Sequence, residues 1–155
     1  MMLNPRQRVL IIGGTGYIGS QLYDYLTSQK ISADSVDLEW FGNHSYILND
    51  QKDYAYMDPH EFSMYDAVIL LAGHSSVKMS GNGLSTMKNN VGNFVGLLEK
   101  LSSLPYPPKL IYASSSSVYG DSKNKFVKED DDKFVPNNFY DLSKHEIDLY
   151  ATMYN

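Results

Sequence analysis

Tyr140 and Lys144 stand four residues apart in "FYDLSKHEIDLY", a spacing that stacks two side chains on one face of a helix. Such a pair can do acid–base work. A free phenol ionises near pH ~10, so a phenolate at neutral pH needs ~4 kcal/mol of differential stabilisation. An ammonium one turn away is a source of it. Taken alone, the pair is also a plain helix contact with a snorkelling lysine. A second group lies near the N-terminus, where Gly13, Gly16 and Gly19 form G-x-x-G-x-x-G in "GGTGYIG". The first glycine permits a tight turn, the second lets backbone approach a pyrophosphate, and the third allows close helix–strand packing. A helix N-terminus there offers N–H donors and positive dipole to phosphate. Asp37 follows about twenty residues on, where a carboxylate accepts from ribose hydroxyls and repels a 2′-phosphate, which favours NAD over NADP.

The elements that must carry these groups follow from the hydrophobic pattern. "VLII" reads as a buried strand running into the glycine turn, and Ile18, Leu22, Tyr25 and Leu26 mark the helix after it. "SADSVDLEW" predicts a second strand ending in Asp37, and "DYAYMD" a weaker third ending at Asp58. "DAVILLAG" is a continuous apolar run of the kind buried on both faces. Met87, Val91, Phe94, Val95, Leu98 and Leu101 repeat on one stripe of a long helix within "GLSTMKNNVGNFVGLLEKL". After the prolines, "KLIYASS" restarts as a fifth strand. A polar loop over 120–138 leads into a last helix from about Phe139 to the end. Alternating strands and helices predict an α/β fold with a parallel sheet covered on its faces.

Composition narrows the function classes. The chain has 155 residues, 43% of them hydrophobic, which suits one domain with one core. Cysteine is absent, which excludes disulfides and thiolate metal sites. Net charge is −5 with no long basic run, so the footprint of a nucleic-acid binder is missing. No apolar run reaches the ~18 residues of a membrane span, and the N-terminus lacks a signal-peptide pattern; a cytoplasmic protein is the expectation. The acidic cluster "KEDDDK" from Lys128 to Lys133 reads as a solvated loop rather than a cation site. His44, His60, His74 and His145 show no metal-ligand spacing and take no assigned role.

"GGTGYIG", Asp37, the "MD" at Asp58, "LLAG", "NNV", "SSSSVYG" and Tyr140-x-x-x-Lys144, in this order, resemble the extended short-chain dehydrogenase/reductases. These include the NAD-dependent nucleotide-sugar epimerases and dehydratases, UDP-glucose 4-epimerase among them. The resemblance covers essentially the whole chain and implies a Rossmann-like, doubly wound parallel sheet. It places Thr15, Gly16, Tyr17 and Ile18 along the pyrophosphate turn, and Asp58 facing the adenine amino group. Leu71, Ala72 and Gly73 would run beneath the cofactor, and Asn90 would hold active-site backbone. The position four before Tyr119 matches the catalytic hydroxyl and selects Ser115, with Ser114 and Ser116 as close competitors. Tyr140 would then be the general base for a sugar hydroxyl, with Lys144 stabilising it.

The same resemblance carries departures. Family members run to about twice this length, as two domains do, so 1–155 is expected to be the N-terminal part of an NAD-binding domain. It would stop after the helix carrying Tyr140 and Lys144, without the remaining strands and the substrate lobe. Strand five would then be a sheet edge. The last two long helices would carry apolar stripes suited to a homodimer, with Leu142, Glu146, Leu149 and Met153 on one face of the last helix and Ile147, Tyr150 and Tyr154 on another. The expected function is an NAD-dependent nucleotide-sugar epimerase/dehydratase; Ser115-Ser116-Ser117 in place of the Thr-Asp-Glu of the 4,6-dehydratases lowers that chemistry and leaves epimerase, decarboxylase or reductase, with epimerase favoured. A non-catalytic NAD-binding module and one half of a split enzyme are the alternatives.

Overall fold

The computed structural model describes residues 7–40, 42, 47, 49–120, 126–128 and 135–154. They fall into two compact units, one drawn from 1–72 with 99–113 and the other from 73–98 with 114–155. His44 and most of the acidic cluster after Lys128 lie outside the described residues.

The first unit is a parallel sheet of five strands in the order β3-β2-β1-β4-β5. The strands are β1 (Arg8–Ile12), β2 (Ser32–Val36), β3 (Asn49–Asp50), β4 (Ala67–Leu70) and β5 (Lys109–Tyr112). The chain winds outward from β1 to β3, then returns to the other side of β1 for β4 and β5. The carboxyl ends of β1 and β4 therefore flank a topological switch point, the place where open α/β sheets bind ligands. β1 is central because it is apolar on both faces: Leu10, Ile11 and Ile12 are buried. One face packs Val9, Ile11 and Ala33 against Tyr23 and Leu26 of α1 (Tyr17–Ser28), with Ile47 in the same cluster. Among the described residues β5 lies at one edge of the sheet and leaves Ile111 exposed.

The predicted third strand over Asp53–Asp58 is not a strand. Asp53 caps a 3-10 turn over Tyr54–Tyr56 by accepting from the Ala55 N–H at 2.9 Å. Asp58 caps the short α2 (Pro59–Phe62) by accepting from the His60 N–H, while Glu61 accepts from the Asp58 N–H, a reciprocal capping box. Short acidic side chains satisfied their own backbone and removed it from ladder pairing. The real β3 is two polar residues paired with Ser35 and Val36, and nothing in its own pattern signals it.

The second unit is helical. The long helix expected over 83–101 is divided into α3 (Gly83–Thr86), a π-helical stretch (Met87–Gly92) and α4 (Asn93–Ser102), of which the residues up to Leu98 belong to this unit. An apolar stripe tolerates such a bulge, so periodicity did not reveal it. A 3-10 turn over Ser116–Tyr119 follows the serine run, and α5 spans Phe139–Met153. Asn138 starts α5 by accepting from the Asp141 N–H at 3.0 Å. α5 buries Ser143 and Ile147 and leaves Leu149 and Met153 exposed.

Candidate functional site

In the first unit the glycine turn stands at the carboxyl end of β1. Gly13 has φ +94°, and a Cβ there would lie 2.7 Å from the Ala72 backbone nitrogen. Only glycine permits that approach. The Leu71 and Ala72 N–H groups both donate to the Ile12 carbonyl, at 2.8 and 3.0 Å, so the exit of β4 is held beside the turn. Gly19 is buried, and a Cβ there would meet Gly14 Cα at 2.7 Å. Gly16 differs: a Cβ there would find only the Gly13 carbonyl, at 3.3 Å. Gly16 is also the N-cap of α1 and supplies no side-chain cap, which leaves first-turn N–H groups for a ligand. Tyr17 and Ile18 stand on that first turn as exposed side chains.

Asp37 lies one residue past β2. Its carboxylate accepts from the Thr15 N–H at 3.1 Å and from the Glu39 N–H at 2.7 Å. The acid is thus fixed against the glycine turn, and its two oxygens keep further acceptor capacity. Asp58 spends one oxygen on its helix cap, and Glu61 behind it is paired with Lys52. A cavity of about 320 Å³ elsewhere in this unit is lined by Lys52 and Glu61 but not by Asp37, Asp58 or the glycine turn. Its charges, Arg8 with Asp34 and Lys52 with Asp50 and Glu61, satisfy one another.

The second unit brings Tyr140 and Lys144 together. The Lys144 ammonium lies 5.9 Å from the centre of the Tyr140 ring on α5. Burial pushes Lys144 below its usual value, while the Asp148 carboxylate one turn further on pulls it up. Asp148 also accepts from Ser114 Oγ at 2.6 Å, so that hydroxyl is committed to α5. Ser115 caps the 3-10 turn: its Oγ accepts from the Ser117 N–H at 3.2 Å, which leaves its own proton to donate. Ser116 is exposed.

Asn90 sits in the π-helical stretch, a feature frequent at functional sites. Its Oδ1 accepts from the His74 N–H at 2.8 Å, and its Nδ2 donates to the His74 carbonyl at 3.1 Å. Nδ2 also donates to Ser143 Oγ at 3.0 Å. The His74 ring meets Thr86 Oγ1 at 3.2 Å. Gly73, at φ +151°, has room for no Cβ without pressing Asn90 Oδ1 at 3.0 Å. Sequence reasoning missed Ser143 and Asp148. Both were signalled only by their offsets from Lys144, one before it and four after.

Among the described residues, Ser80 Oγ, Ser117 Oγ and Asn89 Oδ1 are buried with no hydrogen-bond partner. Within the first unit, the uncapped α1 N-terminus and the Gly16 opening fit a phosphate-bearing ligand better than a closed structural turn. Among the described residues no cluster of His, Asp and Glu could hold a metal, and no helix is long and apolar enough to cross a membrane.

Residues 9–155 match the family model described as the NAD dependent epimerase/dehydratase family. The chain belongs to that family. It is 30% identical over 148 residues to the UDP-glucose 4-epimerase of Mycoplasma genitalium, covering 83% of this chain and 42% of that protein. Among solved structures it resembles an NAD-dependent NDP-hexosamine 5,6-dehydratase of tunicamycin biosynthesis, with TM-score 0.83 and 26% identity over 94% of this chain and 49% of the other. The Thermus thermophilus UDP-glucose 4-epimerase in complex with NAD shares the fold, with TM-score 0.81 and 23% identity over 95% of this chain and 50% of its own. The family member described here spans about half the length of these relatives.

Proposed function

We propose that the chain binds NAD and supplies the acid–base residues of a nucleotide-sugar epimerase. The observation that carries the reading is Lys144 stacked one turn from Tyr140, with the Asp148 carboxylate one turn further on accepting from Ser114 of the serine run. The glycine turn would take the pyrophosphate on the α1 N–H groups, Asp37 the ribose hydroxyls and Asp58 the adenine amino group. Leu71, Ala72 and Gly73 would lie under the cofactor.

When bound, NAD supplies the hydride acceptor and donor. The chain's own groups handle the proton. Tyr140 Oη takes it from a sugar hydroxyl, and the Lys144 ammonium stabilises the resulting change in charge around the phenol. Ser115 donates to the same sugar oxygen, oriented by the Ser117 N–H. Returning the proton from Tyr140 restores the hydroxyl, so an epimerisation consumes no cofactor overall. UDP-, GDP- and dTDP-sugars are the substrate class.

The test is turnover of these sugars with NAD⁺ by the 155-residue chain and by Tyr140→Phe. Loss of turnover with cofactor affinity retained supports the role; parallel loss of both contradicts it. A second reading is an NAD-binding module or one half of a split enzyme. NAD⁺ binding without turnover, and turnover restored by a complementary polypeptide, would separate these two from the first.

A further inference from the structure

We propose that Ser143 is the positioning residue that locks the turn carrying Tyr140 and Lys144 to the Gly73–His74 loop, through the Asn90 carboxamide. The role rests on the acid–base reading of Tyr140. Ser143 is fully buried, at 0% exposure, and its hydroxyl is spent in both directions. Oγ accepts from Asn90 Nδ2 at 3.0 Å and donates to the Tyr140 carbonyl at 2.8 Å. A serine bonding back to the carbonyl three residues earlier sets the local geometry of a helix turn. That turn holds Tyr140 at one end and Lys144 at the other.

Asn90 then passes the restraint on. Its second Nδ2 proton goes to the His74 carbonyl and its Oδ1 takes the His74 N–H, so the carboxamide has no slack. Gly73 closes around it, since any Cβ there would press on Oδ1. The bonds run head to tail, Asn90 N–H to Ser143 O–H to Tyr140 C=O, and each donor polarises the next. Without Ser143, one Nδ2 proton is left buried and unpaired, and the carboxamide can turn to seek another acceptor. The loop residue His74 would feel a change made on α5 that never touches it.

The experiment is amide hydrogen exchange by NMR on the 155-residue chain, on Ser143→Ala, and on Thr152→Ala. Thr152 makes the same type of back-bond, Oγ1 to the Leu149 carbonyl, on the exposed end of α5. The expected result is His74 amide exchange about tenfold faster in Ser143→Ala, with the Leu97 amide of α4 unchanged as the internal reference. Thr152→Ala should leave both unchanged. His74 exchange unaltered in Ser143→Ala, or rising only in step with Leu97, would overturn the clamp. Wild-type protein that binds no NAD⁺ in a parallel titration would instead overturn the acid–base role on which the positioning is built.

Discussion

The Thr15 N–H donates to the Asp37 carboxylate at 3.1 Å, so the residue before Gly16 and the acid after β2 form one piece. Thr15 is buried, and removing its acceptor leaves a backbone donor unpaired. Asp37→Ala should therefore cost about 1–3 kcal/mol in denaturant unfolding. Asp37→Asn retains an acceptor oxygen and should cost less. In titrations Asp37→Asn should also narrow the preference for NAD⁺ over NADP⁺, because the charge that repels a 2′-phosphate is gone. An unchanged preference would remove Asp37 from the ribose site.

Two glycines of one turn should fail in different ways. Gly13→Ala puts a Cβ against the Ala72 nitrogen at a positive φ, and the folded state should be lost or badly weakened. Gly16→Ala meets only the Gly13 carbonyl, at an ordinary negative φ. It should keep the fold within ~1 kcal/mol by circular dichroism melting while losing at least ~10-fold in NAD⁺ affinity. Equal loss of folding in both would make Gly16 a structural residue.

How much of this was legible in the sequence depended on whether a residue's partner was near or far. β1 was readable because burial on both faces demands an unbroken apolar run, and β4 carries one too, with Val68 and Leu70 buried and Ala67 and Ile69 partly so. α5 was readable because Asn138 and the helical spacing behind it are local signals. β3 was not, since Asn49 and Asp50 become a strand only by pairing with β2. Asp53 and Asp58 misled for the same reason in reverse: their partners were their own neighbouring N–H groups. Tyr140 and Lys144 could be paired by spacing alone, whereas Ser143 acquires its meaning from Asn90, distant in sequence.

The ion pairs behind Asp58 predict a pH window. Lys52 is raised by hydrogen bonding to Asp50 and Glu61, so its contribution is complete below its unfolded value of 10.5 and lost as pH rises through the folded value. Glu61 is lowered chiefly by Lys52, so its contribution is complete above its unfolded value of 4.5 and lost as pH falls through the folded value. Lys52→Met should lower stability by no more than about 1 kcal/mol at neutral pH, as expected for partly exposed pairs. The gap from wild type should close at both acidic and strongly alkaline pH. A gap independent of pH would assign the loss to packing.

Leu149 and Met153 lie exposed on α5, on the stripe expected to meet a second copy. Sedimentation should show a dimer at high micromolar concentration, and Leu149→Glu should shift it to monomer without changing the melting of the monomer. Wild-type protein that stays monomeric would remove α5 as a self-association face.

The most direct test of the account is calorimetric titration of the 155-residue chain with NAD⁺ and, separately, with NADP⁺. The account predicts saturable binding with NAD⁺ preferred. No binding to either, or a preference for NADP⁺, would contradict it.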